Sequence, residues 1–561
     1  MERHYLGWEL MTRRAFLGTA AGTAAGLYGL AQGLAAEVPS TFDGKDFQVR
    51  IPEAHAKRGG VLRYAVFSAP AHFDVHQSGT NANIDTQGCM YDNLIRRDPR
   101  DSGQTIIPDL AHSWEIAKDG KTYTFFLRQG VKFHDGGELT AEDVKATYQR
   151  IIFPPQGFSS PRTPLFSTVE AINVRDAHTI AFQLREARPK AFMLGAFASG
   201  WNIIVRKKTL EDHQYNLRQV LDYPGTGPFR HKKRVDKEVW IMERNPDYWN
   251  AGLPYLDGLE FYHFDPGSPA LAGALLSGKT DYARGLDPVT LQKVQATPGM
   301  TGTSFYQSAI RALWVNNAKR PFDDPRVRRA MHLVLDRPVL IAVVKDVSSL
   351  VAGGFLYPFS DFATPAAHLA ERLGYQADAT AAIQEAKQLL VAAGHGQGIK
   401  AVDFLVRDLP TYKQLAPAIQ AMLKEALNIE THLRTVQGAV WFEEAQAGRF
   451  DLTLSSTVST LLDPSDYFHG WYSKEGPQNY SKWSNKDFEA LLPLIDRELD
   501  EAKRKDLVRQ AEAICEQDPP VLPVSWEKTN DGWHTYVKGH NPYHYFGMYD
   551  VVRFDTFWLD K

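Results

Sequence analysis

Thr12-Arg13-Arg14-Ala15-Phe16-Leu17 leads into Gly18 to Ala36, an apolar run without a single charge, and this opening decides how much of the chain is left to fold. A basic n-region, an apolar h-region and a small-residue exit at Gly33-Leu34-Ala35-Ala36 are the three parts of a signal peptide. Adjacent arginines followed by Phe-Leu suggest the twin-arginine route, so the mature protein is expected in the periplasm. Gly, Ala and Thr dilute the run below the roughly 20 strongly apolar residues of a stable membrane span, so cleavage rather than anchoring is expected. Fold reasoning therefore begins near Glu37. About 525 of the 561 residues remain, too many for one core and expected to divide into two to four domains.

The balance of 63 basic and 66 acidic side chains leaves a formal charge of -3. The basic runs, Arg206-Lys207-Lys208 and His231 to Arg234, are short and separated, so nucleic acid is not an expected partner. No second run is apolar enough to cross a bilayer. Two cysteines do not make a disulfide framework. Cys515 shares one helical face with Leu507, Val508, Ala511 and Ile514, which predicts a buried small apolar residue. Its pairing with Cys89 stays open, because export is oxidising while twin-arginine substrates usually fold before they leave.

Strand signals dominate Lys57 to about Arg185. Trp114 to Ile116, the Lys118-Asp119-Gly120 turn and Thr122 to Leu127 predict a hairpin. Thr140-Ala-Glu-Asp143 predicts a helix cap, with Val144, Tyr148 and Ile151 facing inward. From Asp324 onward helices alternate with short strands. Asp378 is expected to cap a helix that turns Ile383, Ala386 and Leu390 inward and ends at Gly394, and Leu415, Ile419, Met422 and Leu423 mark another. Between them Ala401 to Val406 and Asp451 to Ser455 are continuous runs of the kind buried on both faces. The fold class is α/β with an added strand-rich portion.

Catalytic patterns are missing from the sequence: no Gly-x-Ser-x-Gly elbow, no phosphate-cradling loop and no His-Glu-x-x-His pair. His72 and His76, and likewise His540 and His544, stand four apart. Their aromatic and Pro-rich contexts point to loop or strand, where that spacing does not align metal ligands. Asp463 and Asp466 could form an acid/base pair, although Pro464 and Tyr467 fit a structured turn. Twelve tryptophans and 23 tyrosines are more than a core needs and suit a ligand cleft, since each pairs an apolar face with a polar edge.

The order of segments resembles one family. Trp114-Glu-Ile-Ala-Lys-Asp-Gly-Lys-Thr-Tyr-Thr-Phe-Phe-Leu-Arg-Gln-Gly-Val-Lys-Phe-His-Asp-Gly136, followed by Leu139-Thr-Ala-Glu-Asp-Val144, is similar to the first block of the family 5 extracellular solute-binding proteins. These are the peptide- and nickel-type receptors of ABC importers. Gly225-Thr-Gly-Pro-Phe229, Arg244-Asn-Pro-Asp-Tyr-Trp249, Phe322-Asp-Asp-Pro-Arg-Val-Arg-Arg-Ala330, Leu335-Asp-Arg337, Gly448-Arg-Phe-Asp-Leu452 and Pro519-Pro-Val-Leu-Pro523 continue in the family's order. The resemblance implies two α/β lobes closing on a ligand, with an extra strand-rich domain. Lobe I would comprise 57–84, 186–305 and 525–561, the extra domain 85–185 and lobe II 306–524, with hinges near Tyr306 and Trp526. It also implies a permease and ATPase as partners, a monomer, no catalytic activity and no cofactor.

Ligand contacts in the family come from the segment after the first strand, here Ser68 to His76, and from the edges of lobe II. That makes His72 and Phe73 candidates, together with Trp314 and Asn316 where the chain enters lobe II. Arg407 follows a buried strand, where a guanidinium could hold a ligand carboxylate bidentately or pair with Asp408. Trp441 lies about one helical turn beyond the position of the tryptophan in oligopeptide-binding members. Those members carry an ammonium-pairing aspartate where alignment on Gly448 places Thr460, so ordinary peptide binding would need Asp463 or Asp466 instead. The leading expectation is a receptor for a short peptide or a peptide-like, opine-like or sugar-derived solute. A nickel-chelate receptor is the alternative, and an exported hydrolase the third.

Overall fold

The computed structural model describes residues 41–42, 53–66, 69–70, 72–78, 81–98, 105–265, 267–459, 461, 463–540 and 553–561. The signal peptide, Ser68, Thr460 and His544 lie outside the described residues. Among the described residues no helix is long and apolar enough to cross a membrane.

Two long strands, Met300–Val315 and Leu522–His534, pair antiparallel through the middle of one large mixed sheet. On one side of them come Leu452–Val458, Ile399–Arg407 and Ile429–Val436. On the other come Tyr282–Arg284, Val61–Val66, Gly258–His263, Val239–Arg244 and Phe229–Val235. The sequence of Met300–Val315 explains why it serves both halves. Residues 301–307 are mostly part-exposed, whereas Ser308 to Val315 are buried without interruption, the signature of a strand covered on both faces. The register with Leu522–His534 breaks between Tyr306 and Ile310, opposite Lys528 and Trp526. Both expected hinge residues thus flank an irregularity in the strands the two halves share.

Each half has its own core. In the first, Leu62, Tyr64, Phe229, Trp240, Phe261 and Tyr282 pack with Cys89. In the second, the aliphatic face gathers Val327, Met331, Ala386, Leu390, Leu415, Ile419 and Leu423. Its opposite face is aromatic, with Trp314, Trp441, Trp471, Trp483, Phe488 and Trp526 around Cys515. Cys89 and Cys515 are both buried and free, so the chain holds no bridge between them. The helix Thr380–Ala392 has Asp378 accepting from the Thr380 N–H at 2.9 Å, and Gly394 follows at φ +83°, a left-handed turn that favours glycine.

A second, antiparallel sheet joins Thr41–Phe42, Ala111–Ile116, Thr122–Leu127, Thr179–Leu184 and Val169–Asp176. Its hairpin has the expected partners, Trp114 opposite Phe125 and Ile116 opposite Tyr123. Helix Ala141–Ile152 lies on it with Val144, Tyr148 and Ile151 buried, and Asp143 accepts from the Thr140 N–H at 2.9 Å. Helix Lys190–Phe197 also belongs to this layer, since Phe197 packs among Tyr123, Phe125, Tyr148, Phe166 and Phe182.

Candidate solute cleft

In the second half of the large sheet, Ile399–Arg407 runs parallel to Leu452–Val458, so both deliver their carboxyl ends to one edge. Ligands favour such edges in α/β sheets. Arg407 ends the first strand half-buried, its guanidinium carbon 5.2 Å from the ring centroid of Phe442. Arg407 Nε is buried without a hydrogen-bond partner. The expected competitor is occupied elsewhere: Asp408 pairs with Lys413 at 2.8 Å and accepts from Gln437 Nε2 at 2.7 Å. Among the described residues no carboxylate forms an ion pair with Arg407. Gly438 packs closely beside it: a Cβ there would stand 3.2 Å from Arg407 Nε, so the guanidinium would have to shift slightly.

The carboxylates after Leu452–Val458 are committed. Asp463 caps the short helix Pro464–Tyr467, accepting from the Ser465 N–H at 2.9 Å, and receives two bonds from Arg504 at 2.7 and 2.6 Å. Asp466 accepts from Ser459 Oγ at 2.6 Å and the Leu461 N–H at 3.1 Å. Both Asp463 oxygens are thus engaged by the Arg504 guanidinium, which neutralises the carboxylate's charge. This arrangement removes the acid/base pair on which the hydrolase reading depended.

Three expected contacts serve packing instead. Trp314 is fully buried, edge-on to Tyr480 at 5.3 Å. Asn316 Nδ2 donates to the Gly448 and Phe450 carbonyls, both at 2.9 Å, clamping the turn before Leu452–Val458. Trp441 is fully buried and donates to Thr453 Oγ1 at 2.8 Å, and Thr453 in turn donates to the Leu405 carbonyl at 2.9 Å. Its neighbour Phe442, 45 % exposed, presents the aromatic face there. Most tryptophans follow the same course: Trp114, Trp201, Trp240, Trp314, Trp441, Trp483 and Trp526 are core residues, so their number is no measure of a ligand cleft.

His72 and Phe73 sit apart from Arg407. Phe73 meets Trp240 edge-on at 5.7 Å and lies 4.9 Å from the Arg234 guanidinium, at the sheet edge farthest from the second half. Burial, and then the charge of Arg218, hold His72 below the usual imidazole range. His76 is buried, with Nε2 donating to the Ile203 carbonyl at 2.8 Å and Nδ1 accepting from Arg150 at 2.9 Å. Both its nitrogens are used, so the His72–His76 spacing makes no metal pair. Among the described residues no three His, Cys, Asp or Glu side chains gather as a metal site.

One cluster escaped sequence reasoning. Tyr306, 38 % exposed, meets Phe359, 48 % exposed, at a centroid distance of 3.9 Å with the rings tilted by 40°, and Lys528 Nζ lies 4.6 Å from the Tyr306 ring. The only sequence signal was the position of Tyr306 at the expected hinge. Two surface cavities lie elsewhere, one of about 290 Å³ beside Arg128 and Trp249 and one of about 810 Å³ beside Arg320 and His395.

Residues 105–479 match the family model of the bacterial extracellular solute-binding proteins, family 5 Middle. The chain is 25% identical over 508 residues to Di/tripeptide-binding protein 1 of Pseudomonas aeruginosa, covering 85% of this chain and 90% of that one. With the dipeptide-binding protein DppE of Bacillus subtilis it shares 24% identity over 480 residues, covering 81% and 84%. Among solved structures, the PBP AgaA in complex with agropinic acid from A.tumefacien R10 matches at TM-score 0.77 and 21% identity, covering 90% and 99%. DppA from Helicobacter pylori in complex with peptide STSA matches at TM-score 0.76 and 23% identity, with the same coverage. The chain therefore belongs to the family 5 extracellular solute-binding proteins, and its fold is the two-lobed α/β fold of periplasmic binding proteins. It is thus a substrate-binding protein of the bacterial extracellular kind.

Proposed function

We propose that the protein is a periplasmic receptor for a polar organic acid, peptide-like or opine-like, whose carboxylate is held by Arg407. The observation that carries this reading is the guanidinium itself: half-buried, backed by Phe442 and without a carboxylate partner among the described residues. A free α-amine is not required of the ligand. Thr460 brings no charge, and Asp463 is bound to Arg504. Ligands named for similar proteins span both chemistries, di- or tripeptides for one relative and agropinic acid for one structure. The Tyr306–Phe359 pair offers a further apolar surface at the hinge. Ligand contacts to both lobes bias the open/closed equilibrium, and the closed form delivers the solute, as a monomer, to permease and ATPase subunits.

Thermal denaturation against dipeptides, N-acetyl dipeptides, agropinic acid and a nickel chelate tests the reading. Binding to the folded state alone raises the midpoint with ligand concentration. Stabilisation by agropinic acid or an N-acetyl dipeptide is expected. A response confined to free-amine peptides, or to the nickel chelate, overturns it.

The export route is a separate part of the proposal. Replacing Arg13 and Arg14 by lysine is expected to leave precursor in the cytoplasm. Fractionation of producing cells reads the result, and unimpaired export of that variant excludes the twin-arginine route.

A further inference from the structure

Away from the hinge strands, the layer built on the small sheet reaches across to the second lobe through a compact charge pattern. Glu186 and Arg188 lie between strand Thr179–Leu184 and helix Lys190–Phe197. Asp496 and Arg497 end helix Lys486–Arg497, which packs into the aromatic core of the second lobe through Phe488, Leu492 and Ile495. Arg188 Nη2 stands 2.9 Å from Asp496 Oδ1, and Arg497 Nε 2.5 Å from Glu186 Oε2. Each side thus contributes one acid and one base, and the order acid-x-base on one faces acid-base on the other.

The two pairs differ in solvation. Glu186 and Arg497 are exposed enough for screening to leave them a small contribution. Arg188 is buried, its guanidinium 4.2 Å from the Phe192 ring, and Asp496 is largely buried with it. Asp496 is held in place by its own lobe, accepting from Ser465 Oγ at 2.7 Å and meeting His469 Nε2 at 2.9 Å. Separation of the lobes would leave Asp496 with these partners, whereas Arg188 would lose its ion pair with Asp496 and the desolvated setting that strengthens it. Beside this contact, helix Lys190–Phe197 and Leu461 also approach: a Cβ on Gly195 would stand 3.7 Å from Leu461 Cδ2.

We infer that Glu186, Arg188, Asp496 and Arg497 form a clasp between the strand-rich layer and the second lobe that stabilises the closed conformation and slows solute release. The clasp gives the strand-rich layer a role in the receptor's opening and closing that lies outside the solute contacts themselves. The inference rests on the two-lobed fold and is independent of which solute is bound.

Pulsed dipolar spectroscopy of the purified protein tests it without a ligand. Spin labels at K118C and E425C, both exposed positions on opposite sides of the contact, report the distance between the strand-rich layer and the second lobe. Cys89 and Cys515 are buried and do not compete for label. R188Q is expected to lower the closed-to-open ratio about tenfold, since it removes the one buried charge pair that spans the contact. R497E is expected to lower it about threefold, and the charge-swapped E186R/R497E to restore it to within about twofold of the parent. The exposed pair keeps the test decisive if R188Q folds poorly. Equal ratios in the parent, R497E and the double variant, or a parent lacking the short-distance population, overturn the clasp.

Discussion

Arg407→Gln is expected to weaken binding of a carboxylate solute by at least about tenfold, with the loss reaching ~2–5 kcal/mol if the cleft closes dry around the pair. The magnitude follows from desolvation. A bidentate guanidinium–carboxylate pair that forms only in the closed cleft leaves the solute carboxylate buried and uncompensated when the guanidinium is removed. Phe442→Ala keeps the charge and removes the ring beneath it, so its expected cost is smaller, about 0.5–1 kcal/mol. Thr460→Ala is expected to change little. Isothermal titration with agropinic acid or whichever N-acetyl dipeptide stabilises the parent separates the three. Unchanged affinity in Arg407→Gln, or a larger loss in Thr460→Ala, would place the polar anchor elsewhere and remove the basis for an acidic solute.

The place of Arg407 at a strand's end was legible before the structure because local signals converge on it: the apolar Phe404-Leu405-Val406, an arginine directly after, and Asp408 and Pro410 beyond. The same locality made the helix caps and the hairpin legible, as Thr140 with Asp143 and Trp114 opposite Phe125 illustrate. What failed depends on partners distant in sequence. Nothing near Asp463 announces that Arg504, 41 positions away, will occupy both its oxygens. Phe73 meets Trp240 and Arg234 only because parallel pairing brings Gly258–His263 beside Val61–Val66 and sets Val239–Arg244 beyond it. Trp314 and Trp441 were cleft candidates on the family resemblance and their place in it. Yet an indole satisfies a core as well as a ligand, and only the tertiary setting, such as Thr453 against the Trp441 N–H, decides between them. The continuity of one sheet through both lobes was equally hidden, since it rests on the pairing of Met300–Val315 with a strand more than 200 residues later.

The second large effect concerns acid. His76 is held neutral inside the first lobe: burial lowers its pKa to about 3, with the charge of Arg150 pushing the same way. In the unfolded chain an imidazole titrates near 6.5. Between those values the unfolded state binds a proton that the folded state refuses, so stability rises with pH across the window and is lost as pH falls below about 6.5. Integrated from pH 7 to pH 5, this single group removes about 2 kcal/mol. Asp74, bound through both oxygens to the same Arg150, acts lower down. Burial alone would raise it, but the hydrogen bonds and charge of Arg150 outweigh burial and bring it to about 2. Its depressed value contributes stability above the ordinary carboxylate range that disappears only as pH falls toward 2, so it does not confuse the higher window. His76→Gln removes the titrating group while an amide can still donate toward the Ile203 carbonyl. The variant is expected to be less stable than the parent at pH 7, yet to lose about 2 kcal/mol less on going to pH 5. Urea denaturation of both proteins at the two pH values, followed by the fluorescence of the first lobe's Trp201 and Trp240, measures that difference of differences. If parent and variant lose stability equally between pH 7 and pH 5, His76 is already able to accept a proton in the folded protein, and the buried Asp74–Arg150–His76 network cannot be the source of acid sensitivity.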